Sequence, residues 1–299
     1  MHKDDFNNLD ELAKRGKQYL KYESREVFTW CGGCGNFGIQ NALKRALVLE
    51  NVAPKDALMC FDVGCSGNGS DKIHGYTIHG LHGRVISLAA GAAIANPNVK
   101  VIASAGDGAT FSEGPNHLIH AVRSNYPMMF IHHNNENYGL TTGQASALSK
   151  CGSKMNGTPG EVVVEPINPL DFVLTLKPSF VARGFSGDVD QMTEIFRTAL
   201  NHKGFAFVEI LQACPTYNRA TPDHWYAQRV KDIADLEGYD KHDIWQARKL
   251  VQDIDNEIYT GVLYEDPSKV EFMEMQKYRG GKRDSLIDKV DYFDISGLL

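Results

Sequence analysis

"KVIASAGDGAT", residues 100–110, decides the fold: a run of small and β-branched apolar residues stops on a Gly-Asp-Gly turn. A continuous apolar run ended by glycine is the pattern of a parallel strand buried on both faces. At its end, Gly106 and Gly108 let the backbone come close to a phosphate, and the helix expected just beyond adds a favourable dipole. Asp107 between them is a hard oxygen donor of the kind Mg²⁺ selects. A lone Gly-Asp-Gly also occurs in turns that bind nothing, so its meaning depends on the segments around it.

Those segments repeat the pattern. "ALMCFDVGCSGNG" (57–69), "PMMFIHHNNENYGLTTGQ" (127–144) and "FAFVEILQACPTYN" (205–218) are apolar runs that break into polar or glycine-rich loops. Helical stretches separate them. "FGIQNALKRALVLE" (37–50) places Ile39, Leu43, Ala46 and Leu47 on one face; "RVISLAAGAAIANP" (84–97), "EGPNHLIHAVRSN" (113–125) and "VDQMTEIFRTALNHKG" (189–204) follow. "DFVLTLKPSFVARG" (171–184) reads as one more helix. Strands alternating with helices predict an α/β fold, an open, mostly parallel sheet with helices on both faces and a site at the carboxyl ends of the strands. Residues 1–25 read as an amphipathic helical arm and 26–225 as the α/β domain. The charged stretch 224–253 reads as helical, within a C-terminal extension over 226–299 that packs on a partner chain.

Composition narrows the function. The chain has 299 residues, 42% hydrophobic and 23% charged, with a formal net charge of −6. That balance argues against general affinity for nucleic acid or an anionic membrane, and the short basic stretch "GGKRD" (280–284) reads as a solvated loop. No window reaches the roughly 18–20 apolar residues of a membrane span. The polar N-terminus has no apolar export signal, so the expected location is the cytoplasm. Six cysteines are too few for a disulfide scaffold and read as metal ligands or core residues.

Asn135, in "NNENYG", lies 28 residues after Asp107, and the pair joins two strand ends around one metal. This arrangement resembles the thiamine diphosphate-binding motif. The resemblance implies that Asp107 and Asn135 bind Mg²⁺ through their side chains and Asn137 through its backbone carbonyl. Gly106, Gly108, Ala109, Gly139 and Leu140 would then surround the diphosphate.

Cys31 and Cys34, in "TWCGGCG", have a C-x-x-C spacing that opens a zinc site, a redox dithiol or an iron–sulfur site alike. Cys65 and Cys214 sit in comparable loops and complete a four-thiolate set, which suits structural zinc, slightly favoured on spacing alone, or a [4Fe–4S] cluster. Cys60 reads as core and Cys151 as a loop thiol. His74 and His79 read as ordinary polar residues, and His132 and His133 as hydrogen-bonded structural residues.

Taken together, "TWCGGCG", "GCSG", "LHGR", "GDG", "NNENYGLTTGQ" and "CPTYN" are similar, in order and spacing over about residues 28–218, to the β subunit of 2-oxoacid:ferredoxin oxidoreductases. The resemblance implies the thiamine diphosphate-binding fold of the diphosphate-binding type, with Cys31, Cys34, Cys65 and Cys214 on one [4Fe–4S] cluster. Val63, Gly64, Cys65 and Ser66 would border the thiazolium side of thiamine diphosphate, and His82 would contact it. The implied reaction is CoA-dependent oxidative decarboxylation of a 2-oxoacid, pyruvate or 2-oxoglutarate, with electrons passing through the cluster to ferredoxin.

No residue of this chain stands out as catalytic. The glutamate that activates thiamine is expected from a partner α (or fused γα) subunit, giving an αβ or (αβ)₂ enzyme. Two departures leave the substrate open. Many members carry a basic residue where Asn68 stands and a lysine where Thr142 stands; Lys72 is one possible replacement. Two other readings compete: a cluster-free thiamine decarboxylase or synthase subunit, and a zinc-stapled α/β assembly protein.

Overall fold

The computed structural model describes residues 9–253, 255–276, 285–289, 294 and 296–298. Its centre is a parallel sheet built from β1 (Ala57–Phe61), β2 (Tyr76–His79), β3 (Lys100–Gly106), β4 (Met128–Asn134), β5 (Phe180–Phe185) and β6 (Phe205–Leu211). Two more strands, β7 (Val230–Asp232) and β8 (Ile258–Glu265), extend it to eight in the order β2-β1-β3-β4-β6-β5-β8-β7. β8 joins β5 antiparallel, with a bulge between Val181 and Ala182.

The predicted open, mostly parallel sheet is therefore present, and it is covered on both faces. α2 (Asn36–Leu49) and α6 (Val189–Asn201) bury one apolar cluster against it. α3 (Val85–Ala95), α4 (Pro115–Ser124), α5 (Pro169–Thr175) and α8 (Ile244–Leu250) bury another on the opposite face. Successive residues of one strand serve the two clusters in turn: Val101, Ala103 and Ala105 of β3 face one, Ile102 the other. Both faces need apolar side chains, which is why the strands read as uninterrupted hydrophobic runs.

The order also positions the site. The chain goes from β1 to β2 on one side and then returns to β3 on the other, so the strand order reverses between the parallel neighbours β1 and β3. The carboxyl ends of two such strands diverge into a crevice where ligands of open α/β sheets bind.

Some sequence expectations need correction. Residues 171–184 are not one helix. α5 stops at Thr175, Lys177 turns left-handed (φ 53°), Pro178 follows, and β5 starts at Phe180. A short apolar run has no period of its own to separate a buried strand from a helix. The stretch 224–253 is likewise not continuously helical. It contains the end of the short α7 (Asp223–Ala227), then β7, a 3₁₀ turn and α8. Part of the region expected to be an appendage is thus sheet and core, because Ala247 and Val251 pack into the main cluster.

α1 (Leu9–Leu20) supplies the N-terminal arm and is followed by Tyr22, which is buried and donates to Val52 O at 2.8 Å. The expectations for residues 1–8 and for "GGKRD" lie outside the described residues. Among the described residues no helix is long and apolar enough to cross a membrane.

Candidate functional site

Three strand-end loops meet at the crevice. The loop after β1 is pinned by Asp62, which is buried and accepts from Val63 N at 2.8 Å, Gly83 N at 2.9 Å and Val85 N at 3.1 Å. One carboxylate thereby ties the β1 loop to the start of α3. It also lies 3.3 Å from His82 Nδ1, which is 3.4 Å from Glu113 Oε2. The loop after β3 passes Asp107 and then makes a π-helical turn over Gly108–Glu113, an uncommon geometry that recurs at functional sites. A side chain at Gly108 would stand 2.2 Å from the Tyr138 ring, whose hydroxyl donates to Glu113 at 2.7 Å.

The loop after β4 holds Glu136 in the left-handed region (φ 57°) between two asparagines. Asn137 N donates to Asn135 Oδ1 at 3.2 Å, and Asn137 Nδ2 to Asn135 O at 2.8 Å. Ser149 Oγ donates to Glu136 O at 2.5 Å. Asn218 Nδ2 donates to Asn135 O at 3.2 Å and lies 3.3 Å from Glu136 Oε2. The last residue of "CPTYN" therefore clamps the loop that carries Asn135.

All the residues expected around the cofactor line one cavity with Asp107, Asn135 and Asn137. Asp107 Oδ2 accepts from Ser146 Oγ, while Asp107 Oδ1 and Asn137 Oδ1 are buried with no hydrogen-bond partner. Burial pushes the Asp107 carboxyl up to about 7. Each buried, unpaired oxygen costs about 1–3 kcal/mol, a cost that a bound cation removes. The donor set of carboxylate and amide oxygens fits Mg²⁺. Asn137 was expected to contribute its backbone carbonyl; its side-chain oxygen is a further donor.

The thiols gather next door. Cys31, Cys34, Cys65 and Cys214 line a cavity of about 150 Å³ with Trp30, whose Nε1 donates to Cys65 O at 2.7 Å. All four are free thiols. Burial, then the facing Cys34, Cys214 and Cys31, push the Cys65 thiol up to about 12. As neutral thiols the four need no counter-charge; as thiolates they would need a cationic group between them. Among the described residues no three Cys, His, Asp or Glu side chains converge on the position of one metal ion. A four-sulfur donor set fits tetrahedral zinc or a [4Fe–4S] cluster. Cys65, Asn135, Gly139, Leu140 and Gln212 line both cavities and form their common wall.

Other residues fall where the sequence pointed less clearly. Cys60 is core and Cys151 an exposed loop thiol. Asn68 lines the thiol cavity, whereas Thr142 (φ 80°) lines neither. Lys72 also lines neither, and its Nζ pairs with Asp71 at 2.8 Å. His133 is hydrogen-bonded as expected and also borders the cofactor cavity. His132 is not: both ring nitrogens lack partners, and the ring packs against Phe111 and Phe207. Burial, followed by His133, pushes its pKa down to about 3, so it behaves as a neutral aromatic. Asp62, Tyr138, Gln212 and Asn218 are site residues that the sequence did not mark as such. Their only signal is adjacency to strand ends or to a recognised motif.

Comparison with known proteins agrees with this geometry. Residues 62–210 match the thiamine pyrophosphate enzyme C-terminal TPP-binding domain, and residues 214–279 match the C-terminal region of the pyruvate ferredoxin oxidoreductase β subunit. The chain is 39% identical over 215 residues to a 2-oxoacid:ferredoxin oxidoreductase β subunit from Sulfolobus sp, covering 71% of this chain and 70% of the relative. It is 35% identical over 213 residues to the 2-oxoglutarate oxidoreductase subunit KorB of Mycobacterium tuberculosis, covering 71% and 56%. A solved structure of 2-oxoglutarate:ferredoxin oxidoreductase from Magnetococcus marinus, with 2-oxoglutarate, coenzyme A and succinyl-CoA bound, superposes with a TM-score of 0.84. It is 31% identical and covers 94% of both chains. The TPP-binding domain match, with relatives of this similarity, places the protein among the β subunits of the 2-oxoacid:ferredoxin oxidoreductases.

Proposed function

We propose that this chain binds thiamine diphosphate through Mg²⁺ and holds a [4Fe–4S] cluster. Joined to an α (or fused γα) subunit, it would oxidatively decarboxylate a 2-oxoacid to an acyl-CoA and pass the electrons to ferredoxin. The observation that carries this reading is the common wall between the two cavities, which separates a cofactor that releases electrons from one that accepts them by a few side chains. When bound, thiamine diphosphate supplies a carbanion nucleophile and an electron sink. The cluster supplies a one-electron acceptor.

The chain's own residues bind and orient. Asp107, Asn135 and Asn137 would hold the metal on the diphosphate, with Gly106, Gly108, Ala109, Gly139 and Leu140 against its oxygens. Val63, Gly64, Cys65, Ser66 and His82 would border the thiazolium side. Cys31, Cys34, Cys65 and Cys214 would hold the cluster. A ligand set of four thiolates must stay unoxidised, which suits a reducing compartment, the cytoplasm. The sheet accounts for one α/β domain, so the activating glutamate and the remaining substrate contacts come from the partner in an αβ or (αβ)₂ assembly. The Magnetococcus neighbour was solved with 2-oxoglutarate, which makes that acid the first substrate to test, before pyruvate.

The decisive experiment is anaerobic co-purification with the partner subunit. It should give about four irons per chain, stoichiometric thiamine diphosphate, and CoA-dependent viologen reduction with one member of a 2-oxoacid panel. A colourless protein that binds thiamine diphosphate without iron would overturn the cluster assignment. Gly108→Ala probes the cofactor crevice separately. Overpacking of this kind costs about 1–3 kcal/mol, and the Tyr138 ring is tethered to Glu113. Calorimetry should show thiamine diphosphate binding weakened about tenfold with the iron content unchanged; unaltered binding would remove Gly108 from the diphosphate wall.

A further inference from the structure

His133 stands at the end of β4, and its buried ring ties three elements together. Nε2 is 2.8 Å from Ser104 Oγ on β3. Nδ1 is 3.0 Å from Asn36 Oδ1 and 3.0 Å from Gln212 Oε1. Two amide oxygens on one ring nitrogen require Nδ1 to carry the proton, so the Ser104 hydroxyl donates to Nε2.

This arrangement fixes the orientation of Gln212. With Oε1 engaged by His133, its amide nitrogen turns to the thiols, and Nε2 donates to Cys34 Sγ at 3.6 Å. Asn36 is two residues after Cys34 and Gln212 two residues before Cys214. One imidazole thus straps together the two loops that carry three of the four cysteines. A structural strap would need only the oxygens of Asn36 and Gln212; the N–H···S contact is an additional feature.

We propose that Gln212, held by His133, is a positioning residue whose N–H···S bond to Cys34 raises the reduction potential of the bound cluster. The inference rests on the cluster assignment above. Hydrogen bonds to cluster sulfurs are among the determinants of potential. A reduced cluster carries one more electron, so a donor at its sulfur stabilises the reduced form more than the oxidised one. One electron enters and no bond is made or broken. Lowering the barrier to electron acceptance in this way matters because Gln212 also lines the cofactor cavity.

The test is a mediator-coupled redox titration, followed by electron paramagnetic resonance, of the partner-bound enzyme purified anaerobically. In Gln212→Leu the potential should fall, with reduction disfavoured about tenfold, equivalent to about 59 mV for one electron. Gln212→Glu keeps the shape of the side chain, cannot donate when ionised and adds a negative charge, so its potential should fall further. If Gln212→Leu fails to hold the cluster, Gln212→Glu is the variant read. Wild-type potentials in both variants, or loss of the cluster from both, would assign Gln212 to loop structure and overturn the inference alone. A wild-type enzyme with no iron–sulfur signal overturns this inference together with the cluster assignment.

Discussion

Asp107→Ala should remove thiamine diphosphate from the partner-bound enzyme and with it essentially all turnover. Asp107 is the only carboxylate among the three oxygen donors proposed for Mg²⁺, and its Oδ1 is buried without a partner. Residues that merely support a ligand typically cost 10–100-fold when replaced; loss of the ligand itself should cost at least about 100-fold in cofactor affinity. The fold should survive, because the side chain's other oxygen is bonded to a hydroxyl, that of Ser146. Calorimetry with thiamine diphosphate and Mg²⁺, alongside iron analysis, checks this. Tight binding in the variant would refute the metal assignment, and retained iron would show that the two sites load separately.

Arg183→Met should produce the largest loss of stability. Arg183 on β5 and Glu209 on β6 form a buried ion pair at 2.7 Å, with side chains 3% and 0% exposed. Glu209 also accepts from Asn134 Nδ2 at 2.8 Å. Removing the guanidinium leaves a buried carboxylate with an amide as its main partner, a change that costs about 3–5 kcal/mol. That is a large part of the roughly 5–15 kcal/mol that holds a typical domain folded. Urea unfolding should show a marked drop in midpoint, and Arg183→Met combined with Glu209→Gln should recover much of it. Equal instability in the single and double variants would mean that Arg183 acts through packing instead. Since Asn134 adjoins Asn135, the single variant should also weaken thiamine diphosphate binding.

The part of this protein that could be read from its sequence is the part in which one residue type has one use. Gly106 and Gly108 around Asp107, and the cysteines set in glycine loops, announce backbone close to a ligand. The structure brings those positions to two adjoining cavities. Apart from β2, the strand–helix alternation from β1 to α4 was legible for a similar reason, since glycine and proline separate its segments. Legibility failed where a tertiary partner decides the outcome. The run "SFVARGF" forms β5 because β6 and β8 lie beside it, not because of its own period. β2, with Tyr76 and Ile78 exposed, has too few buried residues to read as a strand. The polar residues that support the loops were hidden as well. Asp62, Gln212 and Asn218 act through bonds to loops far away in the chain, and no local spacing encodes such bonds.

The strand order has a consequence for the order of events during assembly. β6 is inserted between β4 and β5 although it follows both in the chain, and Cys214 comes soon after it. Cys31 and Cys34 precede the whole sheet, so the fourth thiol reaches the others only after the most recently made central strand has found its slot. Long-range parallel pairing of this kind forms slowly. During translation, the cavity therefore lacks its fourth thiol until synthesis has passed Cys214. The place of one strand in the sheet thus ties completion of the four-thiol cavity to nearly the end of the central sheet's synthesis.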